Sequence, residues 1–401
     1  MSFIEQFMES ASKNAESPRS YFYWSALCAI SAVVKRNVWI ERPTWKTYPN
    51  IFVFLVGESG LRKGVPISLA KDLVAAVNNT RIISGRSSLP GIISYLGTAY
   101  TIEGKNGEPP RVIDKAYGYI SSSEFSSSIV RDPDSLTILT DLYDSCYHDK
   151  WIDTLRGGKV ELIEPSITLL AGINPPHFED YISPTAVSGG FVGRLLLVFE
   201  SEKACVNPAI RVINKEDKFD KSPLVTMLKA MSQVKGQMQF ENEETIKFYE
   251  DWYFEFEENR KQKKYKDKTG SINRVGENVL KVAILLSLSR KPDLIISKED
   301  ISEALKACTT SLSNVNKTTT GQGKSQFAPQ TKLVLTELAE AKDYEISRTK
   351  LLSRNYGDID ATDLDRVIDT LHQAGAIIAE RKGTDIYYRL TPAAIKQMQG
   401  K

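Results

Sequence analysis

Pro49-Asn50-Ile51-Phe52-Val53-Phe54-Leu55-Val56-Gly57-Glu58-Ser59-Gly60-Leu61-Arg62-Lys63-Gly64 is the stretch that decides the fold class. The run Ile51 to Val56 is apolar without alternation, the pattern of a strand covered on both faces inside a parallel sheet. Gly57, Gly60 and Gly64 let the backbone curl until its N–H groups converge on an anion. Val65 to Val77 follows with helical periodicity, so its N-terminal dipole points back at the same anion. Lys63 adds a point charge for the outer phosphates of a nucleoside triphosphate. The spacing departs from the strict GxxxxGK[S/T] pattern twice. Arg62 stands where the second glycine falls, and Gly64 where a hydroxyl holds Mg²⁺. Taken alone, the segment reads either as a triphosphate loop or as a strand-to-helix turn with an incidental lysine.

Outward from this loop, composition narrows the classes. The chain has 401 residues, 41% of them apolar, which suffices for two or three cored domains. Lys plus Arg (52) nearly balance Asp plus Glu (50), so a nucleic-acid partner must be gripped by local basic patches. Cys28, Cys146, Cys205 and Cys308 are far apart and form no CxxC pair, which disfavours a disulfide framework or a zinc site and fits a reducing cytoplasm. His148, His177 and His372 lack metal-ligand spacing. No signal peptide opens the chain, and no apolar run is long enough for a bilayer, so no membrane is expected.

The order of elements predicts an α/β architecture. Residues 1–48 read as a helical region, with Ser17-Pro18 breaking it before the apolar stretch Tyr21 to Val34. Residues 49–205 alternate apolar runs with helix-like stretches, the signature of a sheet domain. Its runs are Ile51–Val56, Tyr117–Ile120, Ile167–Ile173 and Leu195–Phe199. Residues 206–312 read as a helical lid, and 313–329 as a polar, glycine-containing linker. In 330–401, helices at 331–341, 348–354 and 361–374 precede strands at 376–380 and 386–390. Three helices and a two-stranded wing make a winged helix. Its recognition helix would bring Thr362, Asp363 and Arg366 to a groove, with Arg381 and Lys382 at the wing tip facing phosphate. Against DNA stand Asp358, Asp360, Asp363 and Asp365, and winged helices also mediate protein contacts. The run Lys261 to Lys268 reads as a solvated helix end or a nucleic-acid contact.

Three residues downstream of the loop carry candidate chemistry. Glu124 ends the strand at Tyr117 and is placed to polarise a water across from the phosphates. It reads equally as a solvent-facing residue after an edge strand. Asn174 ends the strand at Ile167 and either orients that water or starts the turn that Pro175 demands. Arg194 precedes the last strand, and a planar, permanently charged guanidinium suits a phosphoryl transition state.

In this order the residues resemble the AAA+ helicases of the minichromosome-maintenance type and their phage and mobile-element relatives. Gly57 to Lys63 follows that family's G-[DE]-x-G-x-x-K-S loop up to its last position. Ser123-Glu124-Phe125 resembles its D-E-F, Ile173-Asn174-Pro175 its A-N-P, and Gly193-Arg194-Leu195 its S-R-F arginine finger. The segment Ser271 to Leu280 is similar to one whose arginine reaches the phosphates, a role that falls on Arg274. Thr154 to Leu162 occupies the place of a hairpin that projects into a central channel, with Arg156 and Lys159 flanking its tip. The likeness spans residues 49 to 290, and a winged helix after the lid suits it. It implies an AAA+ P-loop NTPase that binds ATP and Mg²⁺ through Gly57, Glu58, Ser59, Gly60, Leu61, Arg62, Lys63, Gly64 and Val65. Lys63, Glu124, Asn174, Arg194 and Arg274 would serve hydrolysis. Arg156, Lys159, Arg366, Arg381 and Lys382 would hold DNA.

Two departures fall on one function. Gly64 replaces the Mg²⁺-binding hydroxyl, and Ser123 replaces the Mg²⁺-associated aspartate, leaving Ser123 and Glu124 to act on the metal through water. The expectation is a cytoplasmic, slow ATPase. It would be a DNA helicase or translocase of phage or mobile-element replication, working as a hexameric ring on single-stranded DNA with other replication proteins. The alternative is a nucleotide-regulated, weakly hydrolysing origin-binding or helicase-loading factor. A transcription regulator using only the winged helix would leave most of the chain unexplained.

Overall fold

The computed structural model describes the chain except for residues 14, 85–86, 99, 103–110, 126–134, 156–157, 176–177, 179–189, 208–218, 263–268, 320–326 and 400–401. Five parallel strands form the central sheet: β1 (Phe52–Val56), β2 (Arg81–Ser84), β3 (Tyr117–Ser122), β4 (Ser166–Ile173) and β5 (Leu195–Phe199). Their order is β5-β1-β4-β3-β2, so the strand leading into the glycine loop is flanked on both sides. The register pairs Val56 with Ile173 and with Phe199, and Ser122 with Ala171. The chain therefore leaves β1, β3 and β4 at one edge of the sheet.

Every residue of β1 is buried, as its unbroken apolar run predicts, and successive side chains serve opposite layers. Val53 and Leu55 face a layer built from α1 (Phe3–Ser12), α2 (Arg19–Val34), α3 (Gly64–Val77), and two later helices. Those are α6 (Ser222–Gln233) and α8 (Ser271–Arg290). Phe52, Phe54 and Val56 face α4 (Leu89–Gly97) and α5 (Ser135–Asp144). Helix α2 is apolar nearly all round because the sheet covers one side and α1, α6 and α8 the other. A hydroxyl pair, Ser31 Oγ to Thr168 Oγ1 at 2.7 Å, fixes it over β4.

Several sequence expectations change here. Residues 1–48 are not all helical: Val38–Glu41 and Lys46–Thr47 pair as antiparallel strands. The strand β2 was missing from the apolar runs because its first residue is Arg81. That guanidinium is 1% exposed and bonds the carbonyls of Leu96, Thr98 and Lys115. The lid residues pack into the same compact unit as the sheet, which spans Met1–Lys317. Lys281 of α8 is fully buried, with its amine 2.8 Å from Asn50 Oδ1 and 4.2 Å from the centre of the Tyr143 ring. The first residues of the expected linker continue a helix, α9 (Lys298–Thr319), after α7 (Glu243–Gln262).

The second unit, Thr318–Lys401, has its own apolar core around Val334, Leu338, Leu364, Val367 and Leu390. Helices α10 (Ala328–Glu340), α11 (Arg348–Asn355), α12 (Ala361–Gln373) and α13 (Pro392–Gln399) surround a three-stranded antiparallel sheet. The expected hairpin is present, Ile377–Lys382 with Asp385–Leu390, closed by Gly383-Thr384 with Gly383 at φ 65°. Glu345–Ser347 adds an outer strand that the sequence pattern did not reveal.

Because α2 lies between the sheet and other helices, Leu27→Ala should destabilise the whole first unit by about 2–5 kcal/mol. Denaturant unfolding, followed by tryptophan fluorescence and by far-UV circular dichroism, should show one transition moving as a unit. A local loss confined to residues 1–48 would contradict this packing.

Candidate functional site

The glycine loop emerges between β1 and α3, beside the ends of β4 and β3. Gly57 N donates to Ile173 O at 3.2 Å, so the loop begins pinned to the neighbouring strand. A side chain at Gly57 would collide with the Tyr21 hydroxyl, Leu61 and the Glu200 carbonyl. Gly60, at φ 96°, makes the reversal that glycine permits, and Arg62 follows at φ 55°, an uncommon conformation for a residue with a Cβ. The strained turn is braced from the N-terminal region. Ser17 Oγ donates to Arg62 O at 2.9 Å, Tyr21 OH donates to Val56 O at 2.8 Å, and Glu16 pairs with Arg62 at 3.2 Å. These braces, on residues whose role the sequence left open, are the main contribution that sequence reading missed.

Lys63 ends the turn with its amine turned inward. It donates to Asn174 Oδ1 at 2.7 Å, to Glu58 O at 3.0 Å and to Gly57 O. Burial draws this amine below its ordinary range, while the Glu58 and Glu124 carboxylates pull it back up. Lys63, Asn174 and Glu124 thus share one corner, at the carboxyl ends of adjacent strands. Glu124 is exposed, and its neighbour Phe125 is buried against Phe54 at 4.7 Å between ring centres. Phe125 N donates to Gly172 O at 2.7 Å, which ties the Glu124 turn to β4.

Gly172 is the hinge of this corner. A Cβ there would lie 2.5 Å from the Ser123 carbonyl and 3.3 Å from Lys63 Cβ. Gly64 and Ser123 also face each other: a Cβ on Gly64 would meet Ser123 Cβ at 3.4 Å, an ordinary contact. The two positions where the sequence departs from the metal-binding pattern are therefore neighbours in space. Among the described residues no three His, Cys, Asp or Glu side chains gather as a metal site. A divalent ion here would rest on phosphate oxygens and water beside Ser123 and Glu124, which fits a triphosphate-borne ion better than a protein-held one.

Arg194 and Arg274 lie elsewhere. Parallel register sets Leu195 beside Phe52, so Arg194 sits at the amino end of the sheet, roughly 20 Å from Gly57 at the usual rise per strand residue. It is 8% exposed, and it grips both oxygens of Asp144 while donating to Gly190 O at 2.8 Å. Arg274 stands 4.0 Å from the same carboxylate. Gly193 permits this arrangement, since a Cβ there would clash with the Thr269 carbonyl at the start of α8. Beside the pair opens a cleft of about 770 Å³ lined by Arg42, Trp45, Tyr147, Tyr249 and Tyr253. Asp144, which joins the two arginines, had no sequence signal beyond being acidic.

The expected DNA contacts divide as follows. Lys150–Leu155 and Gly158–Ile163 form an antiparallel hairpin before β4; Lys159 is exposed on it, and Arg156 lies outside the described residues. Arg366, Arg381 and Lys382 are all exposed; Arg366 pairs with Asp363 at 3.5 Å and Lys382 with Glu345 at 2.6 Å. Asp360 caps α12 by accepting from the Thr362 and Asp363 amides, and Asp365 pairs with Arg348 at 3.0 Å. Two of the acidic residues near that helix start thus serve its structure. Of Lys261 to Lys268, Lys261 is exposed at the end of α7, and Lys263, Lys264, Lys266 and Lys268 lie outside the described residues.

No helix among the described residues is long and apolar enough to cross a membrane. Searches against protein families and curated proteins find no match for the chain. The geometry of the corner makes a direct prediction: Gly172→Ala should displace Ser123 or Lys63 and lower stability by about 1–3 kcal/mol. Denaturant unfolding followed by tryptophan fluorescence measures this. Wild-type stability in that variant would refute the close packing.

Proposed function

We propose that this chain is an ATP-hydrolysing P-loop motor of the AAA+ type acting on DNA, a helicase or translocase that works as a ring. The single observation carrying this reading is the Lys63 amine bonded to Asn174 Oδ1 and to two loop carbonyls, within electrostatic reach of Glu124. Lysine, amide and carboxylate come from three separate stretches of sequence and meet where parallel strands end, the usual place for a ligand in an open α/β sheet.

The roles follow from placement. Loop amides between Gly57 and Val65, together with the α3 N-terminus, bind the triphosphate oxygens. Lys63 exchanges its carbonyl partners for phosphate, which a partly desolvated amine does at low cost. Glu124 orients the attacking water, and Asn174 holds the lysine and the outer phosphate in register. A bound Mg²⁺ supplies charge neutralisation on the phosphates. Arg194 and Arg274 cannot reach Lys63 in their own chain, so they act on the nucleotide of an adjoining copy, where a guanidinium is worth about 10³–10⁵ in rate. Six copies in a ring around single-stranded DNA would direct the hairpin carrying Lys159 at the strand. The second unit, a winged helix in this reading, presents Arg366 and Arg381 to DNA.

The runner-up is a nucleotide-regulated loading factor, favoured by the side-by-side loss of the hydroxyl at Gly64 and the carboxylate at Ser123. Turnover separates the two. Lys63→Ala should abolish ATP binding, and Glu124→Gln should retain binding while lowering turnover at least 100-fold. A wild-type rate no higher than that of Glu124→Gln would leave only the loading factor. The contact between Gly64 and Ser123 adds a gain-of-function prediction. Gly64→Ser brings its Cβ into ordinary contact with Ser123 and should lower the Mg²⁺ concentration needed for half-maximal turnover, with Ser123→Asp acting in the same direction.

A further inference from the structure

Arg42 and Trp45 close the turn between the strands Val38–Glu41 and Lys46–Thr47, with Arg42 N donating to Trp45 O at 2.9 Å. Held in this way, both side chains line the cleft of about 770 Å³ beside Arg274. Tyr147, from the turn after α5, and Tyr249 and Tyr253, from α7, line it as well. Four stretches far apart in sequence, α8 being the fourth, thus converge within the first unit. Gly276 of α8 lets two of the rings lie against that helix. A Cβ there would stand 2.8 Å from the Tyr253 ring and 3.1 Å from the Tyr249 hydroxyl. Those rings stack on each other, with centres 6.1 Å apart and planes at 23°.

This cleft is aromatic where water reaches it. Among the described residues of the first unit the exposed aromatic rings are Trp45 (46%), Tyr253 (37%) and Phe254 (69%), and two of the three line this one cleft. Its guanidiniums are also incompletely used. Arg42 lies over the Trp45 ring, 5.4 Å from its centre, and its buried Nε has no hydrogen-bond partner among the described residues. The carboxylate that Arg274 approaches at 4.0 Å, Asp144, is already gripped on both oxygens by Arg194. Glu277, the other acid in the lining, accepts from the Tyr147 hydroxyl at 3.2 Å. Flat rings with a guanidinium beside them match one chemistry, a nucleotide, whose base stacks while its phosphate meets the charge. The volume is that of a small-molecule site.

We propose that this cleft takes the base of the ATP held by the glycine loop of an adjoining copy, stacked against Trp45 and Tyr253 while Arg274 faces its phosphates. The choice of this nucleotide rests on the motor reading, in which Arg194 and Arg274 serve a neighbour. The chain's own ATP is not the occupant, because the cleft adjoins Arg194 at the amino end of the sheet and the loop leaves its carboxyl end. Loop and cleft therefore divide one ligand between two chains. The loop grips the triphosphate, and the neighbour's aromatic rings hold the base. Affinity for ATP then depends on assembly, since a separate chain offers each nucleotide only half of its contacts.

The test uses the full chain, a fluorescent ATP analogue, and the variants Trp45→Ala and Trp45→Phe. Trp45 is exposed, so Trp45→Ala should keep the wild-type unfolding midpoint while binding the analogue about tenfold more weakly. Trp45→Phe keeps a ring and should restore the affinity. Inorganic tripolyphosphate has no base, so its inhibition constant should be the same in wild type and Trp45→Ala. Equal weakening of tripolyphosphate would make Trp45 a structural residue and overturn the base contact. Mixing Trp45→Ala with Lys63→Ala chains should create a class of sites with wild-type affinity, because an intact loop then meets an intact cleft on its neighbour. A mixture that binds no better than its parts, or wild-type affinity in Trp45→Ala alone, overturns the proposal. The motor reading survives that result if ATP still drives assembly and turnover. A chain that neither assembles nor turns over ATP overturns the motor reading, and the shared nucleotide with it. Loss of labelled oligo-dT binding in Trp45→Ala with ATP affinity intact would give the cleft to bases of a single strand and overturn the ATP occupant.

Discussion

A parallel strand in the middle of a sheet must have both faces dry, and that constraint on β1 organises the first unit. Ile51 to Val56 offers no polar face, so helices have to cover it above and below. One layer comes from α4 and α5, which the chain lays down while building the sheet. The other needs α2 from before the sheet and α6 and α8 from after it. Segments that read as separate regions along the chain are therefore drawn into one core, and Lys281, buried against Asn50 and Tyr143, pins the last of them.

The same constraint creates the site. Strands buried on both faces can expose function only at their ends, and here β1, β3 and β4 end together. Tight packing beneath the loop leaves no room for side chains at Gly57 or Gly172, so backbone and lysine meet closely. The Lys63 amine is satisfied by Asn174 and by carbonyls of its own loop, a pre-organised state held from outside by Ser17, Tyr21 and Glu16. Residues that precede the sheet thereby control the curvature of the loop that follows its first strand.

Charge is distributed unevenly around this frame. At the amino end of the sheet, Arg194 and Arg274 converge on Asp144. Near the hairpin root, Arg36 pairs with Asp149 and Lys115 with Glu164, beside the exposed Lys235. A chain whose net charge is only +2 can thus carry local fields strong enough for anions. The burial of Arg194 also limits what it can do, since a guanidinium held on both oxygens of a carboxylate must exchange that partner before meeting another anion.

The sequence by itself determined the α/β class, the strand that leads into the loop, and the convergence of Lys63, Asn174 and Glu124. These follow from local pattern: an apolar run without alternation, glycines at a turn, polar residues where strands stop. Three helices and the hairpin of the second unit were legible for the same reason, whereas the helix Pro392–Gln399 and the strand Glu345–Ser347 were not read. Only the tertiary structure decided the rest. Arg81 disguised an edge strand because its charge is satisfied by three carbonyls distant in sequence. Asp144 as the partner of two arginines, Ser17 and Tyr21 as braces, and Lys35 buried against the Asn79 carbonyl and the Tyr117 ring depend on contacts between segments tens to hundreds of residues apart. Such contacts leave no periodicity in the chain, because what selects each residue is the space and charge left by the others after folding.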